Sequence, residues 1–187
     1  MKRNHFFITG LPRSRTAWLA NFFTCGKSFC WHDASKRGPN AHGVIEELRR
    51  ASCDYAGDAD SGLLLFGKEL QQLLPEARWL IVRRDLAHAR ESYEKYFRER
   101  PYAGISFEPA ELKHIFDIAA QKLEDLRSGL KAGTFIECDF DDLDSKLVLE
   151  EAWRFLTPGN PWDALRCELL QELETNVRPE KIKLCPT

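Results

Sequence analysis

Gly10, Pro12, Arg13, Ser14, Arg15 and Thr16 fall within one short stretch, Gly-Leu-Pro-Arg-Ser-Arg-Thr. The stretch follows an apolar run, Phe6-Phe7-Ile8, that reads as a short buried strand. It leads into a segment with Trp18, Leu19, Phe22 and Phe23 spaced for one side of a helix. A strand, a glycine-initiated turn and a helix start bring free backbone N–H groups and the positive end of a helix dipole to one point. Arg13 and Arg15 add charged donors there, and Ser14 and Thr16 add hydroxyls. The chemistry this predicts is the binding of a phosphate or similar anion. The plainer alternative is a Pro-Arg-Ser turn that only starts a helix. An ATP cradle of the Walker type would place Gly at position 15, Lys at 16 and Ser or Thr at 17. The lysine would reach the outer phosphates and the hydroxyl would hold magnesium. The chain has Arg15, Thr16 and Ala17 instead, so both of those functions are missing.

A second cluster begins at Trp79. Trp79-Leu80-Ile81-Val82 reads as another buried strand, followed by Arg83-Arg84-Asp85. A helical segment comes next, with Leu86, Ala89, Tyr93, Tyr96 and Phe97 on one face. Arg84 falls at the carboxyl end of its strand, where open α/β sheets bind ligands. Ser92 lies eight residues on. A continuous helix would separate the two by ~12 Å, so the turn must fold Arg84 back if both are to hold one anion. Alone, the pair reads equally as a surface arginine and a solvated serine.

The elements that must position these residues alternate along the chain. Strands are expected near 5–9, 28–32, 53–57, 79–83 and 134–138. Helices are expected near 14–25, 41–51, 62–74, 86–98, 109–130, 145–156 and 161–175. Leu112, Ile115, Phe116, Ala119, Leu123 and Leu126 form the clearest helical stripe. Asn160-Pro161 reads as the cap and first turn of the last helix. Asp60-Ser61-Gly62 reads as a cap before an apolar run. The segment 99–108 reads as a surface loop able to cover an acceptor. The fold class is therefore α/β, a P-loop-like three-layer sandwich in which helices cover both faces of a parallel sheet of about five strands. Phe6–Thr9 and Leu80–Val82 are expected to be neighbouring interior strands, since strands buried on both faces lose polar alternation.

At 187 residues and 43% apolar content, the chain suits one domain, 1–187, with a proper core. A formal charge of −2 gives no sign of a nucleic-acid or membrane surface. No apolar stretch approaches the ~20 residues of a membrane span, and no signal-peptide pattern follows Met1. The six cysteines are scattered without Cys-x-x-Cys spacing, as expected of reduced thiols in a cytoplasmic protein. Nothing in the sequence indicates an oligomeric state.

The chain resembles the sulfotransferases that use 3′-phosphoadenosine-5′-phosphosulfate (PAPS). Their 5′-phosphosulfate loop reads Gly-x-Pro-Lys/Arg-Ser-Gly-Thr-Thr-x-Leu, matched here by Gly10, Pro12, Arg13, Ser14, Thr16 and Leu19. Their 3′-phosphate motif, a strand-end Arg, commonly an Asp and a Ser eight residues later, is matched by Arg84, Asp85 and Ser92. Phe135–Leu143, then Trp153-Arg154-Phe155-Leu156, is similar to the family's late strand, Tyr-Glu-Asp-Leu turn and following helix. The resemblance covers roughly residues 5 to 157 in order. Arg15 stands where the family has Gly, and Ala17 where it has a second Thr. No Arg-Lys-Gly clamp is evident near the C-terminus, where Val177–Lys181 is only a loose substitute.

The resemblance implies that Arg13 is catalytic, meeting charge on the oxygen between sulfate and the leaving 5′-phosphate. It implies that the loop backbone with Ser14, Arg15 and Thr16 holds the phosphosulfate, and that Arg84 and Ser92 hold the 3′-phosphate. The donor would be PAPS and the acceptor a small molecule with a hydroxyl or amine. This chemistry needs no metal, and His32 and His42, ten residues apart, make no ligand set. A base must take the acceptor's proton. His32, at the end of a strand and followed by Asp33, is the first candidate. Asp33, Glu46 and the group Asp58, Asp60 and Ser61 are rivals. Two other function classes share this architecture: a small-metabolite P-loop kinase, and a degenerate nucleotide-binding module without catalysis.

Overall fold

A computed structural model describes residues 4–36, 38, 40–99 and 107–172. Strands β1 (Asn4–Gly10), β2 (Ser28–His32), β3 (Tyr55–Ala59), β4 (Arg78–Arg83) and β5 (Phe135–Asp139) form one sheet. Its order is β2-β3-β1-β4-β5, and every pairing is parallel. The helices are α1 (Thr16–Phe23), α2 (Ala41–Arg50), α3 (Gly67–Leu73), α4 (Leu86–Glu99), α5 (Pro109–Gly129), α6 (Lys146–Leu156) and α7 (Ala164–Glu172).

β1 lies at the centre beside β4, with Ile8 opposite Leu80 and Gly10 opposite Val82. Its apolar run follows from that place, because successive side chains enter different cores. Phe6 and Ile8 pack with Leu19, Phe22 and Phe23 of α1 and Trp153 of α6. Phe7 packs on the opposite face with Trp79, Leu48 of α2 and Leu70 of α3. Each such buried side chain contributes about 1.5–3 kcal/mol relative to exposure. Gly57 of β3 lies opposite Phe6, where a Cβ would come within 2.2 Å of the phenyl ring, so no larger residue fits. A third cluster joins Leu11 to Ala89, Leu112 and Phe116 and anchors the start of the phosphate-type loop on α4 and α5.

Several local expectations shift. β3 occupies Tyr55–Ala59 rather than 53–57, which brings Asp58 into the strand and Asp60 to its carboxyl end. The helix expected over 62–74 is a 3-10 turn at Ser61–Leu65 followed by α3. Asp60 does cap that turn, accepting from Gly62 N–H. The stripe on α5 buries Leu112, Phe116 and Leu126 but leaves Ile115 37% exposed, since the stripe is narrower than the spacing implied. Asn160 does not cap α7. Its side chain accepts from Lys27 N–H and donates to the Cys25 carbonyl, while Asp163 caps the helix through Arg166 N–H. A buried amide must satisfy its own polar groups, and the β2 approach loop offers both partners. Most of 99–108 and all of 177–181 lie outside the described residues.

Candidate functional site

The loop between β1 and α1 turns through two left-handed residues, Arg13 (φ 72°) and Arg15 (φ 57°), on either side of Ser14. Such backbone costs about 1–2 kcal/mol for a residue with a Cβ. It is also the geometry that curls successive N–H groups toward an anion. Arg15 is the residue before α1, and no side chain caps that helix. Its first backbone donors are therefore open for a ligand. This start is later than the expected 14, because the left-handed residues hold the chain out of the helix.

Ser14 is fully buried, and its hydroxyl has no hydrogen-bond partner among the described residues. A Cβ on Gly10 would stand 3.2 Å from Ser14 Oγ and 2.5 Å from the Val82 carbonyl. Gly10 is thus required for the loop to lie against β4.

Three guanidinium groups gather around this loop. Arg84, just beyond β4, donates to the Arg13 carbonyl. It lies over the Phe140 ring at 3.8 Å from the centroid. Arg13 reaches the other way, with Nε 3.5 Å from Ser92 Oγ on α4 and its guanidinium 4.5 Å from the centre of the Tyr96 ring. Arg15 also faces Phe140, at 5.5 Å, and pairs with Asp144 at 2.6 Å. Burial lowers the Arg84 pKa from its ordinary value, as do the positive charges of Arg13 and Arg15, with Asp141 opposing them. Cations close enough to repel one another mark a place that a polyanion would relieve. A groove of about 320 Å³ opens beside Arg84, lined by Arg83, Asp85, His88, Asp139, Phe140 and Asp141.

On the other side of the loop, Thr16 Oγ1 is 3.4 Å from His32 Nε2. His32 Nδ1 is 3.4 Å from Asp33 Oδ2, which also pairs with Lys36. Asp33 leaves β2 in left-handed backbone (φ 59°). Asp58 accepts from Ala34 N–H at 3.2 Å, and Asp60 accepts from Ser35 and Gly62. Among the rival bases, Asp33 lies beside His32, whereas Asp58 and Asp60 are engaged in holding the turn after β2. Glu46 is on the exposed side of α2, in a separate groove with Asn40, His42 and Arg50.

The structure therefore brings Gly10, Arg13, Ser14, Arg15, Thr16, His32, Arg84 and Ser92 to the carboxyl end of the sheet. Pro12 sits in the turn, half-buried. Three participants were not singled out as site residues in the sequence. Phe140 and Asp144 carry Arg84 and Arg15, and Tyr96 carries Arg13. Their only sequence signals are the Phe-Asp-Asp-Leu-Asp turn after β5 and the aromatic residue four places beyond Ser92. Among the described residues, no group of three or more His, Cys, Asp or Glu side chains could hold a metal ion. None of the described helices is long and apolar enough to cross a membrane.

No protein-family model matches the chain, and no curated protein sequence matches it. Solved structures do. A sulfotransferase from Alicyclobacillus acidocaldarius aligns over 96% of this chain and 88% of its own, at a TM-score of 0.66 and 12% identity. A mouse sulfotransferase complexed with PAP aligns over 91% of this chain and 64% of its own, at 0.59 and 14%. The sulfotransferase domain from the curacin biosynthetic pathway aligns over 87% and 76%, at 0.58 and 12%. The chain has the fold of the sulfotransferases.

Proposed function

We propose that the chain transfers a sulfuryl group from PAPS to a hydroxyl or amine of a small acceptor. One observation carries this reading. The buried Ser14 hydroxyl, without a partner among the described residues, and the uncapped start of α1 are ringed by Arg13, Arg15 and Arg84 on a fold shared with sulfotransferases. These groups fit a ligand bearing more than one anionic group, and the Walker lysine and magnesium hydroxyl have no counterparts here.

The donor, when bound, supplies an activated sulfuryl group attached to a phosphate that leaves with the bonding electron pair. The chain's residues then have distinct tasks. Ser14 and the backbone donors at the start of α1 orient the 5′ end. Arg84 binds the 3′-phosphate, and Ser92, 3.5 Å from Arg13 Nε, reaches it from the α4 side of the loop once the donor displaces that contact. Arg13, in the loop that cradles the 5′ end, stabilises charge as it collects on the leaving phosphate, which is where positioned cations lower a barrier most. His32, whose Nδ1 lies 3.4 Å from the Asp33 carboxylate, takes the proton from the attacking hydroxyl or amine through Nε2. Thr16 beside Nε2 positions that ring.

The test is a thermal-shift comparison of adenosine 3′,5′-bisphosphate without metal against ATP with magnesium. The bisphosphate is expected to raise Tm, by mass action on the native state, while ATP with magnesium does little. Stabilisation by ATP with magnesium alone would favour a kinase and overturn the proposal. No response to either would point to a site that does not bind nucleotides.

A further inference from the structure

We infer that the Arg15 side chain serves the donor's ribose 3′-phosphate together with Arg84, and not the phosphosulfate; this rests on the reading above. The three cations divide into two groups. Arg13 points toward α4, against Ser92 and Tyr96. Arg15 and Arg84 face one ring, Phe140, from the turn after β5. Asp144, in the same turn, takes one edge of the Arg15 fork at 2.6 Å. A guanidinium presents five N–H donors, so the remaining edge stays available to a phosphate oxygen. Two forks held by one aromatic ring suit a single dianion, whose oxygens accept from both.

The loop thus has two functions separated by atom type. The backbone of Arg15 is left-handed and adjoins the uncapped start of α1. Its side chain runs outward, 39% exposed, to the Phe140 side. Glycine would satisfy the backbone requirement but supply no cation. Arginine at this position adds a second positive group to Arg84 over Phe140.

The experiment compares two ligands, adenosine 3′,5′-bisphosphate and adenosine 5′-monophosphate, by titration against the full chain and three variants. Arg15→Gly keeps the backbone conformation without a Cβ, so it is expected to fold. It should weaken the bisphosphate at least ~10-fold, the scale of a lost charge-assisted contact, and leave the monophosphate nearly unchanged. Arg84→Ala should show the same ligand-selective loss. Arg15→Lys should recover part of the bisphosphate affinity, as a point charge without the fork. Equal losses of both ligands in Arg15→Gly would place the side chain on the 5′ end and overturn the inference. An unchanged bisphosphate affinity would also overturn it while leaving the sulfotransferase reading intact. A parent protein that binds no bisphosphate overturns both.

Discussion

At the residue scale, the loop accepts backbone strain to present cations. Arg13 and Arg15 both occupy left-handed backbone that glycine adopts freely and other residues do not. Arg13 is the centre of the arrangement, since its carbonyl receives Arg84 and its side chain meets Ser92 and Tyr96. Arg13→Ala should lower kcat more than it weakens donor binding, because a contact to developing charge strengthens in the transition state. Arg13→Lys should keep part of the turnover. Replacing His32 by Gln should cost ~10²- to 10⁴-fold in kcat with donor affinity unchanged, the range for a general base. Both are measured by transfer of labelled sulfate to an acceptor found by screening hydroxyl and amine compounds. A His32→Gln protein with parental turnover would pass the role to Asp33.

At the element scale, α1 is held at its far end by α7. Arg166 donates to the carbonyls of Asn21, Phe22 and Thr24, the last turn of α1, at 2.5–2.9 Å. Burial lowers the Arg166 pKa, and nearby Cys25, Asp163 and Cys167 oppose the shift. Trp18 also donates to the Leu170 carbonyl, and Gln171 to the Asp144 carbonyl. One helix therefore braces both the end of α1 and the turn that carries Arg15's partner. A cation at a helix C-terminus satisfies orphan carbonyls and opposes the dipole. Arg166→Ala should destabilise the fold by about 2–4 kcal/mol, because the Phe22 and Thr24 carbonyls lose the guanidinium and the Asn21 carbonyl keeps only the Thr24 N–H. Urea denaturation measures this, and a loss below about 0.5 kcal/mol would show that water replaces the guanidinium at no cost.

At the scale of the whole molecule, the parallel sheet gathers the carboxyl ends of β1, β2, β3 and β4, and with them an acidic turn. Burial raises the Asp60 pKa above its ordinary 3.8, and the charge of Asp33 adds to this, while bonds from Ser35 and Gly62 and the charge of Lys36 work against it. A raised native pKa means that the folded chain binds this proton more tightly than the unfolded one. Asp60 therefore favours folding at acid pH and costs stability as pH rises from about 4 through its native pKa. Asp60→Asn should remove this downward contribution, making the slope of unfolding free energy against pH more positive in that window, measured by denaturation between pH 4 and 7. Identical slopes for parent and variant would show that the carboxyl titrates alike in both states.

Short-range physics made much of this readable from the chain. Continuous apolar runs mark strands buried on two faces, so β1 and β4 could be expected inside the sheet before any coordinates. Gly-Leu-Pro-Arg-Ser declares a turn rich in donors. The boundaries of β3, the breaking of 62–74 into a 3-10 turn and a helix, and the duty of Asn160 were not readable, because tertiary partners decide them. Asn160, for instance, satisfies backbone of the β2 approach loop more than a hundred residues away in sequence. The same holds for the cations. Sequence supplied Arg13, Arg15 and Arg84, but only strand order sets β1 beside β4 and β4 beside β5. That order brings Arg84 onto the Arg13 carbonyl and carries Phe140 to meet both Arg84 and Arg15. Side-chain type and turn chemistry are local properties of a sequence; which charges share one anion depends on the crossovers that place the strand ends side by side.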